Sequence, residues 1–190
     1  MNYEVNKKGI TSPSILYSER LILKPVSEGL RDYVFQGLSD HEVRHNMQLP
    51  TLNTKEKQDA WWQKFSEWRN TGKAVQWCVF DKKTDRYIGL LTIKEIEISV
   101  CRGEIGYSIL KEHWRKGYGK EAAARVLQYA FEDINLHTVF AMISPQNEGS
   151  QRIVRGMGMM QEAHFKDIHF FEGKFYDLLQ FSIINPSHLK

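Results

Sequence analysis

The stretch from Glu104 to Lys120 holds the residue types that could do chemistry. Glu104-Ile105-Gly106-Tyr107-Ser108-Ile109-Leu110 has the composition of a strand. After Lys111-Glu112-His113 comes Trp114-Arg115-Lys116-Gly117-Tyr118-Gly119-Lys120. Apolar residues then fall at 122, 123, 126, 127, 130, 131 and 134, the stripe of an amphipathic helix. A strand thus runs into a turn with two glycines, and the turn opens onto a helix. Amides at a helix start lie outside the helical ladder, and the helix dipole favours negative charge there. Such a start suits a phosphate or diphosphate. Gly117 and Gly119 let the backbone come close to an anion, and Arg115, Lys116 and Lys120 add positive charge. A glycine turn with merely solvated basic residues is the plainer alternative. A P-loop needs Gly-Lys-Ser/Thr, which is absent. The dinucleotide fingerprint needs a third glycine and a parallel βαβ unit.

The rest of the chain has to position that turn. Leu21-Ile22-Leu23, closed by Pro25, predicts a first strand, and Leu30, Tyr33, Val34 and Leu38 recur at helical spacing until Asp40 and His41. Thr54 is the predicted N-cap of a helix carrying Trp61, Trp62, Phe65 and Trp68, with Gly72 as its stop. Residues 75–80 and 87–98 read as two strands around a polar turn. Residues 137–144 read as a strand ended by Pro145, and 146–157 as a short helix near Gly158. Glu172-Gly173-Lys174 signals a hairpin into a strand over 175–184. The order predicts a mixed α/β (α+β) fold with a mostly antiparallel sheet. Residues 1–16 are expected as a loose or extended N-terminal arm, and 17–190 as one domain.

Composition narrows the functional class. The chain has 190 residues and a formal charge of only +3, with basic residues scattered rather than in runs; no nucleic-acid partner is expected. Cys78 and Cys101 fit neither a metal knuckle nor a redox pair, so no metal is expected. The first 18 residues lack an apolar signal core, and no apolar run approaches the roughly 20 residues that span a bilayer. A soluble, cytoplasmic protein without a membrane partner is expected, as a monomer or homodimer.

The turn resembles motif A of the GNAT superfamily of N-acetyltransferases, written Gln/Arg-x-x-Gly-x-Gly/Ala. Gly117 and Gly119 match its last two fixed positions, while Trp114 stands where Gln or Arg is usual. Trp there is a habit of the RimJ/RimL-like branch, whose turn continues Gly-Lys-Gly-Tyr-Ala-Thr. This chain has Arg115 for the first Gly, Gly119 for Ala and Lys120 for Thr. Arg20-Leu21-Ile22-Leu23-Lys24-Pro25, Asp40-His41-Glu42-Val43-Arg44, Asn147-Glu148-Gly149-Ser150 and Met157-Gly158-Met159 also resemble that branch, in order, over residues 18–184.

The resemblance implies a GNAT fold in which two neighbouring strands splay and acetyl-CoA, the co-substrate, enters the gap. It implies that the pantetheine arm pairs with backbone near Ser108, Ile109 and Leu110. The diphosphate would sit on Arg115, Lys116, Gly117, Tyr118, Gly119 and Lys120, and Asn147 would meet the pantetheine amide. The acetyl group would pass directly to an amine on a small molecule or a protein N-terminus. A backbone amide of the splayed strand would stabilise the oxyanion. Glu104 is the implied base and Ser150 the implied proton donor to sulfur; the plainer alternatives are a salt-bridged strand carboxylate and a helix-capping serine. Many family members place a tyrosine acid one turn after Ser150, where this chain has Val154. On the acceptor side the candidates are Asp40, Glu42, Trp62, Tyr107 and Asp177, through charge attraction and cation–π contact. The alternative function is a GNAT-fold module that holds acyl-CoA without chemistry.

Overall fold

The computed structural model describes residues 4–39, 41–49 and 52–189. Its sheet has eight strands: β1 (Leu16–Tyr17), β2 (Leu21–Pro25), β3 (Val75–Asp81), β4 (Tyr87–Glu97), β5 (Arg102–Ile109), β6 (Thr138–Ile143), β7 (Met160–Phe171) and β8 (Lys174–Ile184). They lie in the order β1-β2-β3-β4-β5-β6-β8-β7. Neighbours pair antiparallel except β5 and β6, which run parallel. This is the mixed α/β, mostly antiparallel sheet that the sequence predicted. The helices are α1 (Lys7–Thr11), α2 (Arg31–Ser39), α3 (His41–Asn46), α4 (Lys55–Asn70), α5 (Tyr118–Glu132) and α6 (Glu148–Arg155). None of those described is long and apolar enough to cross a membrane.

Each sheet face has its own core, because strand side chains alternate. On one face, Trp77, Leu91, Ile105, Val139 and Phe181 pack with Ala122, Ala123, Val126 and Ala130 of α5. The α5 side chains are the stripe seen in the sequence. On the other face, Cys78, Phe80 and Leu90 pack with Val34, Phe35 and Leu38 of α2 and Trp62 of α4. Thr54 caps α4 as expected, accepting from the Lys57 amide, and Gly72 turns the chain at φ +72°.

Two expectations are revised. The segment before β1 is not a loose arm over the described residues. Val5 and Ile10, like Leu16 at the start of β1, are buried in the α5-side core, the Asn6 amide donates to Ile134 O, and the Tyr129 hydroxyl donates to Gly9 O. The short helix expected over 146–157 begins at Glu148 and ends at Arg155, because Asn147 is its N-cap, accepting from the Ser150 amide at 3.0 Å.

Candidate active site

Strand register opens the site. β5 pairs with β6 at only three positions, Arg102–Thr138, Gly103–Val139 and Glu104–Phe140. Beyond Glu104 the two part. β5 stays with β4 as far as Ile109–Gly89, and β6 stays with β8 as far as Ile143–Leu179. The wedge leads into a cleft of about 580 Å³. Its walls are Tyr107, Ser108 and Ile109 of β5, the turn from His113 to Lys120 with Lys116 left out, the start of α6 with Asn147 and Ser150, and Val43, Asn46 and Met47 near α3.

Backbone direction decides which β5 groups face the wedge. The Cys101 carbonyl accepts from the His137 and Thr138 amides on the β6 side. The Leu110 amide donates to Ile88 O, on the β4 side. Backbone groups alternate along a strand, so the wedge edge belongs to Ile105, Tyr107 and Ile109. Ser108 and Leu110 turn their backbone toward β4, and Leu110 is buried in the α2–α4 core. The Ile109 carbonyl accepts from the Trp114 indole at 2.6 Å. On the edge of the cleft, the Tyr107 backbone and the Ile109 amide therefore remain. Ser108 reaches the cleft by its side chain instead, and its buried hydroxyl has no hydrogen-bond partner among the described residues.

The glycine turn has the geometry that an anion needs. Arg115 and Gly117 adopt left-handed backbone, φ 59° and 82°. Gly117 is the N-cap of α5, and the first bond of the helix runs from the Glu121 amide to the Gly117 carbonyl at 3.1 Å. The Tyr118, Gly119 and Lys120 amides therefore precede the ladder. A Cβ at Gly119 would lie 3.1 Å from Ile153 Cδ1 and 3.5 Å from Ile109 Cγ1, so glycine lets α5 approach α6 and β5. Arg115, Lys120 and Arg152 line this end, with Glu148 as the opposing charge. Lys116 is exposed away from the cleft, and its carbonyl accepts from Arg20. Tyr118 lines the cleft while its hydroxyl donates to Asp81 Oδ2. A diphosphate with an extended amide-bearing arm fits these groups: orphan amides and cations at one end, an unpaired strand edge and a buried hydroxyl at the other.

The two implied catalytic residues lie on different elements. Glu104 closes the crotch of the wedge. It is 7% exposed and bonded to Lys94 Nζ at 2.7 Å. Burial pushes its carboxyl above the usual range, and Lys94 pulls the other way. Ser150 lines the cleft, and its carbonyl accepts from the Tyr107 hydroxyl at 3.2 Å. Burial raises that phenol to about 12. Asn147 lines the cleft as well, with its side-chain oxygen committed to the α6 cap. Val154 is fully buried in the α5-side core.

The acceptor-side candidates are not gathered together. Asp40 lies outside the described residues. Trp62 is a core residue, 7% exposed, its indole donating to Glu28 and its ring flanked by Arg31 and Arg69. Exposed Glu42 pairs with Lys111 at 2.9 Å. Asp177 accepts from the Asp167 amide and pairs with His164 at 2.7 Å, and those bonds hold its carboxyl below the usual range, the amide bond foremost. Of the four that lie among the described residues, only Tyr107 lines the cleft. Sequence reasoning missed Trp114, Arg152 and Gln146 as cleft residues. Arg152 at helical spacing from Glu148 carried a usable signal; the indole's reach to Ile109 carried none. Among the described residues, no three His, Cys, Asp or Glu side chains group as metal ligands would.

Comparison with known proteins agrees with this geometry. Residues 20–160 match the acetyltransferase (GNAT) domain family. The chain is similar to the uncharacterized N-acetyltransferase YoaA of Bacillus subtilis (strain 168), 28% identical over 172 residues, 90% of this chain and 97% of that protein. Among solved structures it resembles spermidine N-acetyltransferase from Vibrio cholerae in complex with CoA and spermine, with TM-score 0.79, 19% identity and coverage of 90% and 99%. It also resembles a ribosomal-protein-alanine acetyltransferase from Vibrio fischeri, with TM-score 0.79, 20% identity and coverage of 93% and 100%. With a family match spanning most of its length, and a splayed pair of strands that opens onto a glycine-started helix, the chain belongs to the GNAT family of acetyl-CoA-dependent N-acetyltransferases.

Proposed function

We propose that this protein binds acetyl-CoA in the wedge between β5 and β6 and passes the acetyl group directly to a primary amine. The observation that carries the reading is the parting of β5 from β6 immediately after Glu104, in line with the amides that start α5. Bound acetyl-CoA supplies an activated carbonyl with a thiolate leaving group. The residues of the chain do the rest. Arg115, Lys120 and the α5 amides hold the diphosphate. The Tyr107 and Ile109 amides, on the open strand edge, are the donors for an oxyanion.

Glu104 takes the proton that the amine must lose to attack, directly or through water. The new bond is N–C and the broken bond is C–S. The leaving sulfur takes its proton from the Ser150 hydroxyl, which regains one from solvent water, or from water directly, since a buried valine occupies the place of the usual tyrosine. Glu104 and Ser108 share a sheet face with Thr92 and Lys94 by strand register. A Cβ at Gly106, between them, would meet no atom of the described residues within 4 Å. That free space supports delivery of the amine from the α2–α4 side.

The acceptor is a small amine such as a polyamine, or a protein N-terminus. A thiol-release assay with acetyl-CoA tests the reading against polyamines, amino acids, aminoglycosides and N-terminal peptides. Turnover of at least one amine, lost in Glu104→Gln, is the expected result. Acetyl-CoA binding without turnover of any of them would favour an acyl-CoA-holding module instead.

A further inference from the structure

Arg20, in the short connection between β1 and β2, lies outside the cleft, yet most of its bonds end on the glycine turn and the start of α5. Its Nη1 donates to the Lys116 carbonyl at 3.0 Å. Its Nε donates to Glu121 Oε2, and its backbone amide to Glu121 Oε1, both at 2.7 Å. The Ser18 hydroxyl adds a third bond to that carboxylate at 2.7 Å. The guanidinium lies 4.6 Å from the centre of the Tyr118 ring. A Cβ on Gly117 would lie 3.2 Å from Arg20 Nη2, so the fork abuts the loop.

We propose that Arg20 is a positioning residue for the diphosphate of acetyl-CoA, acting on the loop from behind. The inference rests on the reading that this loop holds the diphosphate. Two needs converge on one side chain. The loop contains two left-handed residues, one of them Arg115, a conformation that costs free energy unless surrounding bonds fix it. A guanidinium bound to the Lys116 carbonyl fixes the peptide before Gly117. Glu121, in the first turn of α5, would also set a negative charge beside an anion site. Arg20 and Ser18 hold that carboxylate at the β1–β2 connection, and the Arg20 guanidinium neutralises it. A planar fork reaches a carbonyl and a carboxylate together; the lysine ammonium is one point charge.

Calorimetric titration with coenzyme A, alongside an NMR titration with pantetheine, which lacks the diphosphate, tests the proposal. Wild-type protein should bind coenzyme A far more tightly than pantetheine. If it does not, the loop is not a diphosphate site and the underlying reading fails. With that preference present, Arg20→Gln should weaken coenzyme A roughly ten-fold and leave pantetheine unchanged. Arg20→Lys, the milder change should Arg20→Gln fail to fold, should weaken coenzyme A several-fold, again without effect on pantetheine. Equal weakening of both ligands, or unchanged coenzyme A affinity, would overturn the role assigned to Arg20.

Discussion

Glu104 experiences opposing forces whose balance can be read in a pH profile. Burial dominates and raises its proton affinity; Lys94 at 2.7 Å lowers it. A base must be ionised to accept a proton, so the acid limb of the pH–rate profile should lie above the ordinary carboxylate range. Lys94→Met removes the cation that opposes burial, and the limb should move to still higher pH. An unmoved limb would mean that Glu104 is not the titrating base. Glu104→Gln should lower kcat by about a hundred-fold or more, the range of a lost general base. Stability responds with a defined sign. A raised carboxyl favours the protonated folded state, so its contribution is full below the unfolded value and is lost as pH rises through the folded one. Denaturation midpoints of wild type and Glu104→Gln measured across that window should diverge as pH rises.

At the scale of elements, α1 and α5 were unequally legible, and the reason is physical. α5 announces itself because six apolar positions, 122, 123, 126, 127, 130 and 131, fall on one face, with Gly117 just before the helix and Gly119 in its first turn. α1 has five residues, and Ile10 is their one large apolar side chain. No periodicity exists at that length; the helix forms because the body supplies a site for it. Ile10 is 1% exposed, so Ile10→Ala should lower unfolding free energy by about 2–4 kcal/mol in a denaturant melt. A loss under about 0.5 kcal/mol would mean that the segment is not docked. β7 was signalled only at its hairpin end, beside Glu172-Gly173-Lys174; its length was hidden for a different reason. Its residues are exposed on both faces along most of its length, and its pairing with β8 shifts register twice, so no alternation marks it. In the site, the turn, Asn147 and Ser150 were readable as motif positions. The parting of β5 from β6, the direction of the Ser108 backbone and the burial of Trp62 were not. Each depends on which strand lies alongside, which no local spacing records.

Across the whole molecule, one sheet separates two tasks. α5 and α6 stand on the face where the glycine turn gathers cations and amides, while Glu104 points to the face covered by α2 and α4. The wedge is the opening that connects them, and several elements together form its walls. Binding there should therefore stabilise the fold as a unit. A ligand that binds the folded state alone adds about 2.7 kcal/mol at a hundredfold excess over its dissociation constant. For a chain of this size that corresponds to a rise of roughly 5–10 °C in Tm. Acetyl-CoA should produce such a rise by thermal scanning. Gly119→Val should remove most of it, because a branched side chain would strike Ile153 and move α5 off α6. The ligand-free Tm of that variant, measured in the same scan, separates the two causes of a lost shift. If the variant melts near wild type and still gains the full shift with acetyl-CoA, the ligand is held elsewhere on the molecule and the wedge is only a seam in the sheet.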